Sequence, residues 1–178
     1  MHVPQWNKVG FIKIQKISTT SIRLYMNNRF TKHLKEILFF LLFGLIQMGF
    51  SQDWKANYKD AMALAKTETK PVILVFSGSD WCGPCIRFKK TILDTETFLD
   101  YASENYVLYN ADFPRKKKNL LPAEKTNMNK SLAERYNPKG YFPLVVVLDS
   151  KESILGKTGF DRRKTPQDYI DLLNGYLK

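Results

Sequence analysis

Through the last two-thirds of the chain, apolar residues switch between helical spacing and unbroken runs. From Asp53 to Thr69 they recur as Trp54, Tyr58, Ala61, Met62, Leu64 and Ala65, close to one helix face. Lys70-Pro71 interrupts that period. Val72-Ile73-Leu74-Val75-Phe76 follows, a β-branched and aromatic run typical of a strand covered on both faces. After Ser77-Gly78-Ser79-Asp80 comes Trp81-Cys82-Gly83-Pro84-Cys85, with Ile86, Phe88, Ile92 and Leu93 beyond it at helical spacing. The two cysteines are therefore expected at the start of a helix that follows a buried strand.

Thr95 to Tyr106 predicts another helix with Phe98, Leu99 and Ala102 inward, and Val107 to Ala111 a second strand. Asp112 to Asn129 is polar, basic and broken by Pro114 and Pro122, and reads as a long loop or insertion. Ser131 to Tyr136 predicts a short helix, Asn137-Pro138-Lys139-Gly140 a turn, and Leu144 to Leu148 a third buried strand, with Ile154 to Phe160 its antiparallel hairpin partner. A final helix starts at Thr165-Pro166-Gln167-Asp168. Thr165 suits the cap, Pro166 the first turn and Asp168 the positive helix end, and Tyr169, Ile170, Leu172, Leu173 and Tyr176 form the inner face. The sum is an α/β chain with a central mixed, mostly parallel sheet and helices on both faces.

The first fifty residues follow another pattern. Ile37 to Ile46 is uninterrupted and apolar, with Arg29, Lys32, His33 and Lys35 before it and the small residues Gly49 and Ser51 after it. That is the layout of a signal peptide cleaved after Ser51. A spanning helix needs about 20 apolar residues; extension to Phe50 gives 14, with Gln47 inside. The expected organisation is a leader over 1–51 and one domain over 52–178, exported to the periplasm. Uncleaved, the leader would anchor the domain facing the periplasm, and membrane contact is expected only then. Residues 1–25 stand oddly in front of the basic region and contain no acid, so Met26 is a better expected start; a genuine basic arm is the alternative.

Charge then changes meaning. The 178 residues carry a net charge of +11, which suggests an acidic partner or nucleic acid. Residues 1–51 hold seven bases against one acid, and residues 52–178 hold 21 against 16. More than half of the excess belongs to the expected export signal, and no nucleic-acid partner is expected. Within the mature part the densest charge is Arg115-Lys116-Lys117-Lys118, with Lys125 and Lys130 nearby. This run reads as a solvated loop or as a partner contact beside the site. A hydrophobic fraction of 44% suffices for a core, which excludes wholesale disorder.

Cys82 and Cys85 are the only cysteines, and the histidines, His2 and His33, both precede residue 52. Two residues between cysteines allow a small disulfide ring to close with little backbone movement. At a helix N-terminus the first thiolate is stabilised by free N–H groups and the helix dipole, which makes Cys82 the expected exposed nucleophile and Cys85 the buried resolving sulfur. A haem attachment would need His at position 86, where Ile86 stands. Half of an intermolecular zinc site, a merely structural disulfide, and metal handling by the reduced pair stay open beside redox exchange. No resident metal and no cofactor beyond the Cys82-Cys85 disulfide are expected.

Trp81-Cys82-Gly83-Pro84-Cys85 after a buried strand, with Phe142-Pro143 before the next, resembles the thioredoxin superfamily across Gln52 to Lys178. Ser77-Gly78-Ser79-Asp80 and Asp112-Phe113-Pro114-Arg115 resemble its exported bacterial thioredoxin-like (thioredoxin-7-like) branch. The resemblance implies a thioredoxin fold and a thiol-disulfide oxidoreductase acting on protein disulfides or dithiols, with an upstream thiol donor. It also implies a cis Pro143 facing the sulfurs, Phe142 presenting backbone groups to an extended substrate, and Trp81, Gly83 and Pro84 contacting that substrate. Pro143 could equally start a strand in trans, and Trp81 could be a core aromatic. The Gly-Pro dipeptide resembles that of reducing thioredoxins. Two departures stand out: Phe76 and Leu108 occupy the places of the family's buried Asp and its Lys partner. Asp80, next to the motif, and Asp112, at the expected end of the second strand, are the candidate acids that could deprotonate Cys85 instead. A non-catalytic thioredoxin-fold binding module is the competing function.

Overall fold

The computed structural model describes residues 54–178, so the leader, the Met26 start and cleavage after Ser51 lie outside the described residues. The first helix, α1, spans Tyr58–Glu68; Asn57 caps it by accepting from the Asp60 amide, and Thr69 ends it in a left-handed conformation. β1 (Val72–Ser77) follows and then α2 (Gly83–Phe88). A π-helical turn over Lys89–Leu93 continues α2, and its wider winding buries the neighbours Ile92 and Leu93 together. Next come α3 (Glu96–Asn105), β2 (Val107–Asp112), a 3-10 turn at Lys117–Asn119, and α4 (Ala123–Tyr136). β3 (Leu144–Leu148), β4 (Ile154–Thr158) and α5 (Pro166–Gly175) complete the order. In α5 the anticipated cap forms a full capping box between Thr165 and Asp168.

The sheet order is β2-β1-β3-β4. β1 pairs parallel with β2 and antiparallel with β3, and β3 pairs antiparallel with β4. Three strands thus share one direction, as expected of a mostly parallel sheet, yet one of the three neighbouring pairs is parallel. Both faces are covered. Val72, Leu74 and Phe76 pack with Tyr58, Ala61, Met62, Ala65, Leu132 and Tyr136 under α1 and α4. Ile73 and Val75 pack with Phe88, Ile92, Phe98, Ala102, Tyr169, Ile170 and Leu173 under α2, α3 and α5. Each such aliphatic side chain contributes about 1.5–3 kcal/mol on leaving water.

The largest departure from expectation is at 112–130. The predicted loop gives way at Ala123 to a helix that runs unbroken to Tyr136, of which Ser131 to Tyr136 is only the end. Its buried stripe is Asn129, Leu132 and Tyr136, so a polar residue sits where the apolar period needed a hydrophobic one. Asn129 is fully buried because it is paired: the Tyr109 hydroxyl donates to its Oδ1 at 2.7 Å, and its Nδ2 donates to the Asp112 carbonyl at 2.9 Å.

Candidate functional site

The end of β1 delivers the chain into a tight turn in which the Cys82 amide donates to the Gly78 carbonyl at 2.9 Å. Cys82 then caps α2. Its Sγ accepts the Cys85 amide at 3.2 Å, and Pro84 occupies the first turn, where a missing N–H costs nothing. Cys82 and Cys85 form a disulfide with S–S 2.01 Å and Cα atoms 5.2 Å apart. The predicted contrast between an exposed Cys82 and a buried Cys85 does not hold in this oxidised state: the residues are 5% and 4% exposed. They differ instead in position, Cys82 at the helix terminus and Cys85 beside a cavity.

That cavity, about 550 Å³, is lined among others by Cys85, Val75, Ser77, Asn110, Asp112 and Pro143. The Phe142-Pro143 peptide is cis, which excludes the trans alternative. Phe142 packs edge-on against Trp81 with ring centroids 5.4 Å apart and against Phe113 at 5.5 Å. Among the described residues, no hydrogen bond engages the Phe142 backbone. Trp81 is half-buried rather than a core residue: its Nε1 donates to the Phe113 carbonyl at 2.7 Å, and the Arg115 guanidinium lies 3.8 Å over its ring. Gly83 and Pro84 are exposed on the other side of the motif and line a groove with Arg87, Phe160 and Arg162.

The two departures at Phe76 and Leu108 are both fully buried, on opposite faces of the sheet. Neither can exchange a proton. The two acids near the motif differ in what they do. Asp80 accepts from the amides of Arg115 and Lys116, each at 2.9 Å, and from Asn119 Nδ2 at 3.0 Å. Those donors, the Arg115 amide foremost, hold its carboxyl below the ordinary value. Of these two, Asp112 lines the cavity beside Cys85, which Asp94 also lines. The Asp112 carboxylate accepts from Ser79 N at 2.8 Å and Ser79 Oγ at 2.6 Å, while Ser77 Oγ stands 2.8 Å from Asn110 Oδ1 and 3.2 Å from Asp112 Oδ1.

Sequence reasoning missed the tie from Asp80 to the basic segment, 35 residues away, and the stacking of Arg115 on Trp81. Both depend on β2 ending beside β1. The one legible signal was the charge run itself, read as a solvated loop or a partner contact beside the site, without the partners that hold it there.

A family model described as thioredoxin-like matches residues 53–150. Disulfide bond reductase DsbH of Chlamydia pneumoniae is 34% identical over 105 residues, covering 59% of this chain and 61% of that protein. Thioredoxin-related protein DsbJ of the same organism is 22% identical over 120 residues, covering 67% of this chain and 34% of that one. The chain thus spans under two-thirds of the length of these curated relatives. Among solved structures, DsbH oxidoreductase superposes with a TM-score of 0.66 at 30% identity, covering 71% of this chain and 85% of the other. A thioredoxin from Thermus thermophilus gives 0.54 at 18% identity, covering 71% and 88%, a likeness of fold alone.

Proposed function

Because the chain belongs to the thioredoxin-like family, we propose that it is a thiol-disulfide oxidoreductase that reduces disulfides in protein substrates outside the cytoplasm. The observation that carries this reading is the placement of Cys82: its sulfur caps α2 and accepts the Cys85 amide. Once the pair is reduced, that N–H and the helix terminus favour the thiolate over the thiol. The Cys82 thiolate attacks one sulfur of the substrate disulfide, whose S–S bond breaks to release a substrate thiolate. Cys85 gives up its proton towards the cavity that Asp112 lines, and its thiolate attacks Cys82 Sγ. The mixed disulfide breaks and the second substrate thiolate leaves. The substrate has gained two electrons and, with solvent, two protons; Cys82-Cys85 is the disulfide. An upstream dithiol donor returns the chain to its reduced state.

Pro143 lines the cavity beside Cys85, the Phe142 backbone is free to pair with an extended polypeptide, and Trp81 packs against the Phe142 ring. The name of DsbH, a disulfide bond reductase, supports the reducing direction. The test is capture of substrates with Cys85→Ser, which leaves Cys82 to form a mixed disulfide that cannot be resolved. Expected are covalent adducts reversed by dithiothreitol, together with a catalysed rate of insulin reduction by the wild type. No adducts and no rate above dithiothreitol alone reject the reading.

A further inference from the structure

Resting on the reading just given, we propose that the substrate is a polypeptide whose disulfide is flanked by acidic residues, gripped by two cationic banks that touch the cysteine motif. The first is Arg115-Lys116-Lys117-Lys118, all exposed. A run of like charges repels itself and as a free loop would be dispersed. Here it is held: Asp80 binds the Arg115 and Lys116 amides and the Asn119 side chain, Lys117–Asn119 form a 3-10 turn, and Arg115 lies on Trp81. Asp80 spends its acceptors on two backbone amides and the Asn119 side chain, so the cationic heads stay available. The second bank is Arg87 and Arg162, exposed along the groove that begins at Gly83 and Pro84.

Carboxylates near the motif are engaged elsewhere. Asp161 pairs with Arg163, and Asp94 with Lys89. Among the described residues, none of the six cations of the two banks enters an ion pair. The redox step requires the ligand to bring a disulfide to Cys82. Charge complementarity requires that ligand to carry anions on both sides of it, and the separation of the banks along the motif, before Cys82 and after it, suits an extended chain better than a small disulfide. Ordering the basic loop in advance removes an entropy cost that a mobile loop would incur on binding.

The test follows oxidation of the pre-reduced full chain by stopped-flow tryptophan fluorescence. The probes are three synthetic peptides of equal length with one internal disulfide flanked by Glu, Ser or Lys, plus oxidised glutathione and the neutral bis(2-hydroxyethyl) disulfide. Each rate is normalised to that of the same probe with dithiothreitol, which removes differences in intrinsic reactivity. The Glu peptide is expected to react about tenfold faster than the Ser peptide at low salt, about 1.4 kcal/mol and so two or three exposed pairs of ordinary strength. The advantage shrinks in high salt as screening shortens. Arg87→Gln with Arg162→Gln, and separately Lys116→Ser with Lys117→Ser and Lys118→Ser, each lower the Glu-to-Ser ratio. Equal rates for the three peptides overturn the proposal, as does a preference for glutathione over the Glu peptide. If the neutral disulfide oxidises the chain in that event, the oxidoreductase reading stands. If no probe does, that reading falls instead.

Discussion

Gly78→Ala should damage the site through one ring. A Cβ at Gly78 would stand 2.6 Å from Cζ2 of Trp81 and closer to Cε2, far inside contact distance. The backbone has little freedom to retreat, because the Gly78 carbonyl accepts the Cys82 amide. The ring is pinned as well, by the Phe113 carbonyl, by Arg115 above it and by Phe142 at its edge. If the structure absorbs the methyl, overpacking costs about 1–3 kcal/mol. If Trp81 swings away, it forfeits a hydrogen bond of about 0.5–1.5 kcal/mol and a cation–π contact of about 0.5–1 kcal/mol. Both routes predict a loss of about 1–3 kcal/mol. The assay is urea unfolding of the wild type, Gly78→Ala, Trp81→Ala and the double variant, compared at equal slopes. Alanine lacks the whole ring that clashes, so the second substitution should relieve the first by at least about 1 kcal/mol. Additivity within about 0.5 kcal/mol would refute the steric account.

Four other outcomes are expected. Asn129→Leu strands the Tyr109 hydroxyl and the Asp112 carbonyl, costing about 2–4 kcal/mol by urea unfolding; adding Tyr109→Phe should recover about 1 kcal/mol, and no recovery would count against the pairing. Burial pushes the Tyr109 hydroxyl up to about 12 and raises Tyr58 and Tyr106 as well. An unfolded tyrosine ionises near about 10, so the folded state retains protons that the unfolded state loses. The stability these groups contribute is whole below pH 10 and declines as pH rises towards 12; tyrosinate absorbance rising together with unfolding checks it, and buried tyrosines titrating near 10 in the folded chain contradict it. Asp112→Asn should slow resolution by Cys85, so that mixed disulfide accumulates on acid quench and the rate of the second step moves to higher pH; an unchanged pH profile would leave Asp112 a structural acceptor. The amide resonances of Arg115 and Lys116 should titrate together with a midpoint below 3.8, and independent midpoints would break the Asp80 tie.

The elements legible in the sequence were those whose burial is complete or strictly periodic. Val72–Ser77 and Leu144–Leu148 show no polar gap to misread, and α5 announces itself by cap, proline and acid. α4 was legible only at its end. Met128, Leu132, Ala133 and Tyr136 do mark one face, but the fully buried position between them is Asn129, and a polar core residue declares itself only through partners 17 and 20 residues away. The cysteine pair was legible for a related reason, since its spacing and the following helix are local. What depended on long-range pairing was not legible: the distinct uses of Asp80 and Asp112, the opposite faces taken by Phe76 and Leu108, and the seat of Arg115.

Strand direction explains why those distant groups meet. β1 runs parallel to β2 with Ser77 beside Asp112, and antiparallel to β3 with Phe76 beside Leu144. The end of β1, the end of β2 and the start of β3 therefore lie on one edge of the sheet. Whatever follows β1 and β2, or precedes β3, is delivered to the same place: the cysteine motif, the segment from Asp112 to Lys118, and the cis Phe142-Pro143 peptide. Had β2 entered antiparallel, the basic run would sit at the opposite edge and Asp80 could not reach it. The parallel pair also needs a long connection, and α2, the π-helical turn and α3 fill it by covering one face. The helix that Cys82 caps is thus part of the crossover that carries the cationic segment to it.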